Sequence, residues 1–177
     1  AIVLSGKDWH PGVIGIVASK VKEEYNRPTV IVSYASDGKG KGSARSINGV
    51  DLYEALSYAS KYLKDYGGHA MAAGLTVSEE SFDEFKKVFT EFVNNNTTDD
   101  DMIPSITLEG ILNLRDINSR FMDFLNKLSP YGPGNMRPNF ASKSVEVIGN
   151  PRVIGNGDHI IFKIRQNQKV ISAIGFN

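Results

Sequence analysis

Residues 2–32, IVLSGKDWHPGVIGIVASKVKEEYNRPTVIV, contain two apolar runs on either side of a segment with helical periodicity. From Gly12 to about Tyr25 the apolar residues recur at helical spacing, and one face of this helix carries Val13, Val17 and Val21. Pro28 ends the helix, because it pushes the residue before it out of the α region. The β-branched run at 29–32 is typical of a buried parallel strand, so a strand, a helix and a strand are predicted.

The same alternation of strands and helices continues to residue 93. Asp51 and Glu54 form a capping-box pattern ahead of a second helix, and a strand is predicted at 75–77. A last helix starts at Ser78, and its apolar face consists of four phenylalanines, Phe82, Phe85, Phe89 and Phe92. We therefore predict an α/β domain over residues 1–93, with a small mixed sheet and flanking helices.

A different pattern begins at residues 94–102, NNNTTDDDM, which are polar and then acidic. We predict a linker there, because such a segment has no apolar face to bury. Beyond it, one helix near 118–128 accompanies several short predicted strands, at 106–108, 145–147, 159–164 and 170–174. Short strands with turn glycines, such as those at 149–151 and 155–158, predict a β-rich domain over 103–177 in the form of a small barrel.

The composition excludes several classes of site. The chain of 177 residues has no cysteine, so disulfides and cysteine-ligated metal sites are excluded. Its three histidines, at positions 10, 69 and 159, include no i, i+4 pair that could bind a metal from one helix. No run approaches the roughly 18–20 apolar residues needed to span a bilayer, and we expect no secretory signal.

The zero net charge of the chain hides an uneven distribution. Residues 78–102 carry two basic and eight acidic side chains, whereas residues 103–177 carry nine basic and five acidic ones. The basic C-terminal third is compatible with contact to a polyanion.

The segment Ser36–Ser46 combines three alternating glycines with groups that can bind an anion. The glycines let the backbone approach a ligand, Ser43 and Ser46 add hydroxyls, and Arg45 can contact two phosphate oxygens at once. The segment is not a Walker A loop, because Ser43 follows the last glycine where that motif requires lysine. An oxyanion cradle and a flexible hairpin tip with solvated lysines are equally compatible with this pattern.

A second glycine-rich segment surrounds His69, which follows Gly67-Gly68 and precedes small residues. A histidine in this position can donate a hydrogen bond to an anion, or it can be a buried histidine bonded to a carbonyl. Two anion-competent segments in one small α/β domain favour the first interpretation, since ligands gather at the carboxyl ends of strands. We interpret Trp9–Gly12 as a helix-entry turn with Trp9 as a hydrophobic anchor. No cluster of Asp, Glu and His has the spacing of a metal or acid–base site.

Taken together, these segments resemble the RecJ family, the bacterial single-strand-specific DNA exonucleases of the DHH phosphoesterase superfamily. Residues 1–93 resemble its DHH-associated domain, through segments at 9–19, 27–28, 40–46, 67–69 and 72–74. Residues 103–177 resemble the oligonucleotide-binding (OB) fold that follows it, through Leu128–Asn135 and Pro138–Phe140.

The resemblance implies a division of labour along the chain. The first domain would bind the 5′-terminal phosphate of a DNA strand, through Ser43, Arg45, Gly68 and His69. The OB-like domain would bind the strand behind it, through Arg137, Phe140, Lys163 and Arg165. Cleavage would belong to the family's DHH domain with its manganese or magnesium, but this sequence has no Asp-His-His triplet. We therefore expect no catalytic residue, no metal ligand and no cofactor here, and a chain truncated at least at its front.

The expected partners are single-stranded DNA and the missing N-terminal DHH domain of the same chain. We expect a monomer in the bacterial cytoplasm, without membrane contact. Two alternatives stay open at this point: a non-catalytic module that binds single-stranded nucleic acid, and part of a DHH phosphodiesterase acting on short oligonucleotides or cyclic dinucleotides.

Overall fold

A computed structural model describes residues 1–176. It divides into two compact units, one formed by Ala1–Ser105 and one that starts at Ile106. The first unit contains three helices, α1 (Ile14–Tyr25), α2 (Leu52–Tyr58) and α3 (Phe82–Asn95). It also contains five strands, β1 (Ile2–Lys7), β2 (Thr29–Tyr34), β3 (Lys39–Arg45), β4 (Asp65–His69) and β5 (Ala72–Ser78).

The five strands form one sheet in the order β1-β2-β3-β5-β4. β1 and β2 are parallel, and all other neighbours are antiparallel. The predicted α/β fold with a mixed sheet and flanking helices is therefore confirmed. Within residues 1–176, no helix combines the length and the apolar character that a membrane span requires.

One face of this sheet is covered by α2 and α3 and holds the main core. Val30 and Ala44 are fully buried on it, and Phe85 and Phe89 of α3 pack there without solvent exposure. The phenylalanine periodicity of 82–92 thus correctly predicted the buried side of α3. We call the face of the sheet that α2 and α3 cover the core face, and the opposite face of the sheet the outer face.

The outer face is covered only in part, by α1. Ile14 and Ala18 of α1 pack against Ile31 of β2. The predicted apolar face of this helix is wrong, because Val13 and Val17 stay 45% and 41% exposed. The side of α1 that approaches the sheet carries small residues, which permit a close contact and leave the valines beside it.

Most of the glycine-rich segment 36–46 is the strand β3, and only residues 36–38 form the turn of a hairpin between β2 and β3. A Cβ on Gly40 would lie 2.7 Å from Cγ1 of Val32, and one on Gly42 would lie 2.7 Å from Cγ of Leu75. These glycines therefore make room for core side chains of neighbouring strands. The second glycine-rich segment is likewise a strand, β4.

The predicted linker 94–102 packs on the first unit. α3 continues to Asn95, and a 3-10 turn at Asp100–Met102 brings Met102 against the core. Nη1 of Arg27 donates a hydrogen bond to the carbonyl oxygen of Met102 at 2.8 Å. The boundary between the compact units falls after Ser105, and the division of function between 1–93 and 103–177 stays a prediction.

The second unit is β-rich, as predicted. Its elements are β6 (Gly110–Ile111), α4 (Ser119–Lys127), β7 (Phe140–Ala141), β8 (Glu146–Ile154), β9 (His159–Gln166) and β10 (Lys169–Phe176). β8, β9 and β10 form an antiparallel sheet with β9 in the centre, and β6 pairs with β7 in parallel.

Two local predictions for this unit are wrong. Residues 106–108 form no strand, because pairing starts only at Gly110, opposite Phe140. The predicted turn at 149–151 lies inside β8, where the register with β9 shifts between Ile148 and Arg152. A bulge in β8 thus accommodates the glycine and the proline that had predicted a turn.

Candidate phosphate-binding site

The four residues predicted to bind a phosphate lie on β3 and β4, the two strands that flank β5 in the first unit. Arg45 pairs with Ala72 of β5, which pairs with His69 of β4. Ser43 pairs in the same way with Gly74, and Gly74 pairs with Gly67. Paired residues and their i, i+2 neighbours share one face of a sheet, so Ser43, Arg45 and His69 all lie on the outer face.

Small residues separate the two sides of this arrangement. Ala72 lies between Arg45 and His69, and Gly74 lies between Ser43 and Gly67, where a Cβ on Gly67 would contact nothing within 4 Å. Neighbouring strands lie roughly 4.8 Å apart, so the Cα atoms of Arg45 and His69 are about 10 Å apart. We call this strip of small residues the outer groove, with Ser43 and Arg45 on one side and His69 on the other.

The guanidinium of Arg45 is held in place by uncharged oxygen atoms. Nη1 donates to Oγ of Ser43 at 2.9 Å and to the carbonyl oxygen of Ala44 at 2.8 Å. Nε donates to Oγ of Ser19 at 3.2 Å. Among the described residues Arg45 has no carboxylate partner within ion-pair distance. Its charge is oriented but not neutralised, which suits a site for an external anion.

Two residues of α1 complete this side of the groove, and the sequence analysis did not single them out. Oγ of Ser19 donates to the carbonyl oxygen of Gly15 at 3.1 Å while it accepts from Arg45. A Cβ on Gly15 would lie 3.0 Å from Nη2 of Arg45 and 3.2 Å from Oγ of Ser43. A glycine in the first turn of a helix, followed by a serine four residues later, was the available signal.

Gly68 and His69 have different roles in the structure. Gly68 has φ +144°, and its Cβ would lie 2.5 Å from both the Ala72 carbonyl oxygen and Cα of Ala73, so only glycine fits. Gly68 therefore shapes the β4–β5 hairpin from the core face. His69 is exposed at the end of the edge strand β4, so the alternative of a buried histidine bonded to a carbonyl is wrong.

The proposed backbone cradle within 37–46 does not form. β3 lies between β2 and β5, so its peptide groups serve the ladders on both sides. Ser46 is buried and donates from Oγ to the carbonyl oxygen of Val50 at 2.7 Å. An anion in the outer groove would therefore be met by side chains of Ser43, Arg45 and His69.

The predicted residues of the second unit fall into two groups. Lys163 and Arg165 share one face of β9, and Arg165 donates from Nη2 to Oε2 of Glu146 at 2.7 Å. Phe140 and Arg137 lie outside this three-stranded sheet. Phe140 packs edge to face on Phe121 with ring centroids 5.5 Å apart, and the Arg137 guanidinium lies 5.1 Å from the Tyr131 ring centroid.

Within residues 1–176, no three His, Asp or Glu side chains are grouped so that they could hold a metal ion. The described residues therefore offer no ligand set for a metal ion, which the resemblance assigns to the DHH domain.

Two family models match the chain, one in each of its two compact units. The family model of the DHHA1 domain matches residues 1–95, and that of the RecJ OB domain matches residues 108–177. The chain therefore belongs to the DHHA1 domain family. With both domains in this order, it matches the C-terminal region of RecJ.

Individual relatives align with nearly the whole chain. The chain is 36% identical over 179 aligned residues to the single-stranded-DNA-specific exonuclease RecJ of Bacillus subtilis, covering 100% of this chain and 23% of the relative. It is 34% identical to RecJ of Haemophilus influenzae, covering 99% of this chain and 32% of the relative. A crystal structure of Thermus thermophilus RecJ in complex with Mn²⁺ superposes with a TM-score of 0.79 at 32% identity, covering 97% of this chain and 25% of that chain. The chain thus spans about a quarter to a third of these relatives.

Proposed function

We propose that this chain is the substrate-binding part of a RecJ-like 5′-to-3′ single-stranded DNA exonuclease, and that its outer groove holds the 5′-terminal phosphate. The observation that carries the proposal is the oriented, uncompensated Arg45 on the same face as His69, across a floor of small residues. Phosphodiester hydrolysis belongs to a DHH domain outside these 177 residues.

A terminal phosphate on this floor would be contacted from two sides. Ser19 holds the guanidinium of Arg45 toward α1, and His69 stands on the opposite side, at the edge of the sheet. The hydroxyl of Ser43 accepts from Arg45 and keeps its own proton for a phosphate oxygen. Gly68 contributes by shaping the hairpin that carries His69. A terminal phosphate monoester has more negative charge and more free oxygens than an internal phosphodiester, so this arrangement favours strand ends.

The second unit would bind the strand behind the terminus. Lys163 and Arg165 provide positive charge on one sheet face, and Phe140 and Arg137 provide stacking and charge elsewhere in the unit. Glu146 already pairs with Arg165, so Lys163 is the freer cation of the two.

We propose that the whole protein is a bacterial, cytoplasmic enzyme of DNA repair and recombination. Its partners are single-stranded DNA and the N-terminal DHH domain, which uses manganese or magnesium. We assign monomeric state and no cofactor to the 177 residues themselves.

The test of the phosphate site compares two strand ends. The 177-residue chain is titrated with 3′-labelled oligothymidylate that carries either a 5′ phosphate or a 5′ hydroxyl, and binding is followed by fluorescence anisotropy. Hydrogen bonds to charged groups are worth about 1.5–3 kcal/mol, so Arg45→Gln should weaken binding of the phosphorylated strand about tenfold or more. The matched control Arg120→Gln, on α4, should leave the ratio of the affinities for the two strand ends unchanged. Equal affinity of the original chain for both ends would contradict the proposal.

A second test concerns cleavage. We propose that the 177 residues alone do not hydrolyse DNA, since the described residues group no acid–base or nucleophilic machinery around the outer groove. Incubation with a 5′-phosphorylated single strand and manganese should release no nucleotides, as followed by gel electrophoresis. Clear degradation that copurifies with the chain and is lost in Arg45→Gln would contradict this assignment.

A further inference from the structure

A cleft lies on the outer face, beyond Ser43 along β3. It has a volume of about 510 Å³ and is bordered by Trp9, Pro11 and Ala35 on one side and by Lys39 and Lys41 on the other. Its size is within the range of small-molecule sites, roughly 300–1,000 Å³. We call it the Trp9–Lys41 cleft.

The position of Trp9 beside this cleft is fixed by two contacts. Oγ of Ser33 donates a hydrogen bond to the carbonyl oxygen of Trp9, and Ser33 is the register partner of Lys41. The indole packs over Gly6, where it leaves no room for a Cβ. Trp9 nevertheless stays 41% exposed as a residue, so it is accessible to a ligand.

Lys41 is the next cation along β3 from the outer groove. It shares the outer face with Ser43 and Arg45, and at roughly 3.3 Å per residue it lies about 7 Å from Ser43. It is exposed and forms no ion pair among the described residues. Lys39 differs, because Oδ2 of Asp37 lies 3.6 Å from its Nζ.

We propose that the Trp9–Lys41 cleft binds the second nucleotide of the strand whose 5′ phosphate occupies the outer groove. The base stacks on the Trp9 indole, and the Lys41 ammonium contacts the phosphate that joins the first two nucleotides. This inference rests on the proposed function, because it continues the same strand. Stacking on an aromatic ring tolerates any base, since every base has a π face.

Negative charge limits the extent of this subsite. Asp37 lies at the Lys39 end, where its pKa is lowered by the hydrogen bond from the Lys39 backbone N–H. Asp65 of β4 lies on the outer face two strands from Lys41, opposite Thr76. The favourable region for a phosphate is therefore the segment between Lys41 and Arg45.

The single tryptophan of the chain makes the stacking contact directly measurable. Emission of Trp9 is followed while the 177-residue chain is titrated with short 5′-phosphorylated oligothymidylate, and again with the same strand lacking the base of its second nucleotide. The complete strand should quench Trp9, and the abasic strand should bind with little quenching. Arg45-dependent binding of both strands with unchanged emission would overturn this inference and leave the proposed function intact. No binding of either strand would overturn both.

Substitutions test the charge separately from the ring. Lys41→Gln should weaken binding roughly two- to fivefold at low salt and reduce the slope of log affinity against log salt by about 0.7. The loss should be equal for 5′-phosphate and 5′-hydroxyl ends, unlike that of Arg45→Gln. Lys87→Gln, the same change on α3 at the opposite face, should have no effect. Identical behaviour of Lys41→Gln and Lys87→Gln would overturn the inference.

The ring is tested by replacing Trp9. Trp9→Ala should weaken binding about 5- to 100-fold, as expected for loss of one stacked base, whereas Trp9→Phe should retain most of the affinity. Circular dichroism of both variants shows whether the packing over Gly6 has been lost. Unchanged affinity of a folded Trp9→Ala variant would overturn the inference.

Discussion

The two faces of the five-stranded sheet use glycine for opposite purposes. On the core face, Gly40 and Gly42 leave space that Tyr34, Val32 and Leu75 fill completely. On the outer face, Gly67 and Gly74 leave space that no protein atom fills. The same residue type therefore marks tight packing on one side and an open floor on the other. Glycine content alone cannot distinguish a packed strand from a ligand-binding surface.

The largest expected effect comes from filling the packed side. In Gly42→Ala the new Cβ would lie 2.7 Å from Cγ of Leu75, so the core must shift. Overpacking of this kind costs about 1–3 kcal/mol. Urea unfolding followed by Trp9 fluorescence, which reports on the first unit, should show this decrease in the free energy of unfolding. An unchanged midpoint would mean that the core face tolerates a methyl group and that the contrast between the faces is false.

A smaller effect is expected from Tyr34, which is buried on the core face. Burial, with the nearby charges of Glu79 and Asp83, raises the pKa of Tyr34 to about 12. Since an unfolded tyrosine ionises near pH 10, unfolding is favoured above that pH, and stability falls between about pH 10 and pH 12. The loss of stability at pH 11 is about 1.4 kcal/mol.

Measuring urea midpoints from pH 8 to pH 11 checks this dependence, with Tyr34→Phe as the control. The control removes the ionising hydroxyl and should flatten the curve relative to the original chain. Equal slopes for the two proteins would show that Tyr34 does not contribute.

The smallest expected effect comes from the open side. A Cβ on Gly74 would meet nothing closer than the Gly42 carbonyl oxygen at 3.9 Å, so Gly74→Ala should leave stability unchanged or slightly increased. The methyl group would nevertheless raise the floor between Ser43 and Gly67, beside Arg45 and His69. Anisotropy titration should show weaker binding of the 5′-phosphorylated strand, by a factor of a few. Gly110→Ala, in the second unit, is the matched control and should change neither property.

The apolar patterns of the sequence predicted the buried parts of the first unit well. The β-branched run at 29–32 can be buried only as a strand within the sheet. The phenylalanine face of α3 can be buried only by packing against the sheet. Helix α1 was harder, because its contact with the sheet uses Ile14, Gly15 and Ala18, and small residues carry little hydrophobic signal. Exposed Val13 and Val17 gave the stronger pattern and the wrong face.

The sequence was sufficient to propose candidate site residues, but it did not show how they are arranged. Ser43, Arg45 and His69 were identified from their segments, yet their placement on one face follows from the register of β3, β5 and β4, which no local pattern encodes. Ser19 was missed because its role depends on a contact with Arg45, 26 positions away. The prediction of a strand at 106–108 was wrong, because an apolar run forms a strand only where a partner strand is available.

Arg27 has a practical consequence for how the first unit can be divided. Its Nη1 donates to the carbonyl oxygens of Tyr25, Asn26 and Met102, so one guanidinium closes the end of α1 and anchors the chain after α3. A protein trimmed at residue 93 would lose the third of these acceptors and would uncover the apolar surface beneath Met102. The shortest fragment that keeps the hydrogen bond from Arg27 to Met102 extends past Met102. A fragment for expression of the isolated unit should therefore end at Ser105.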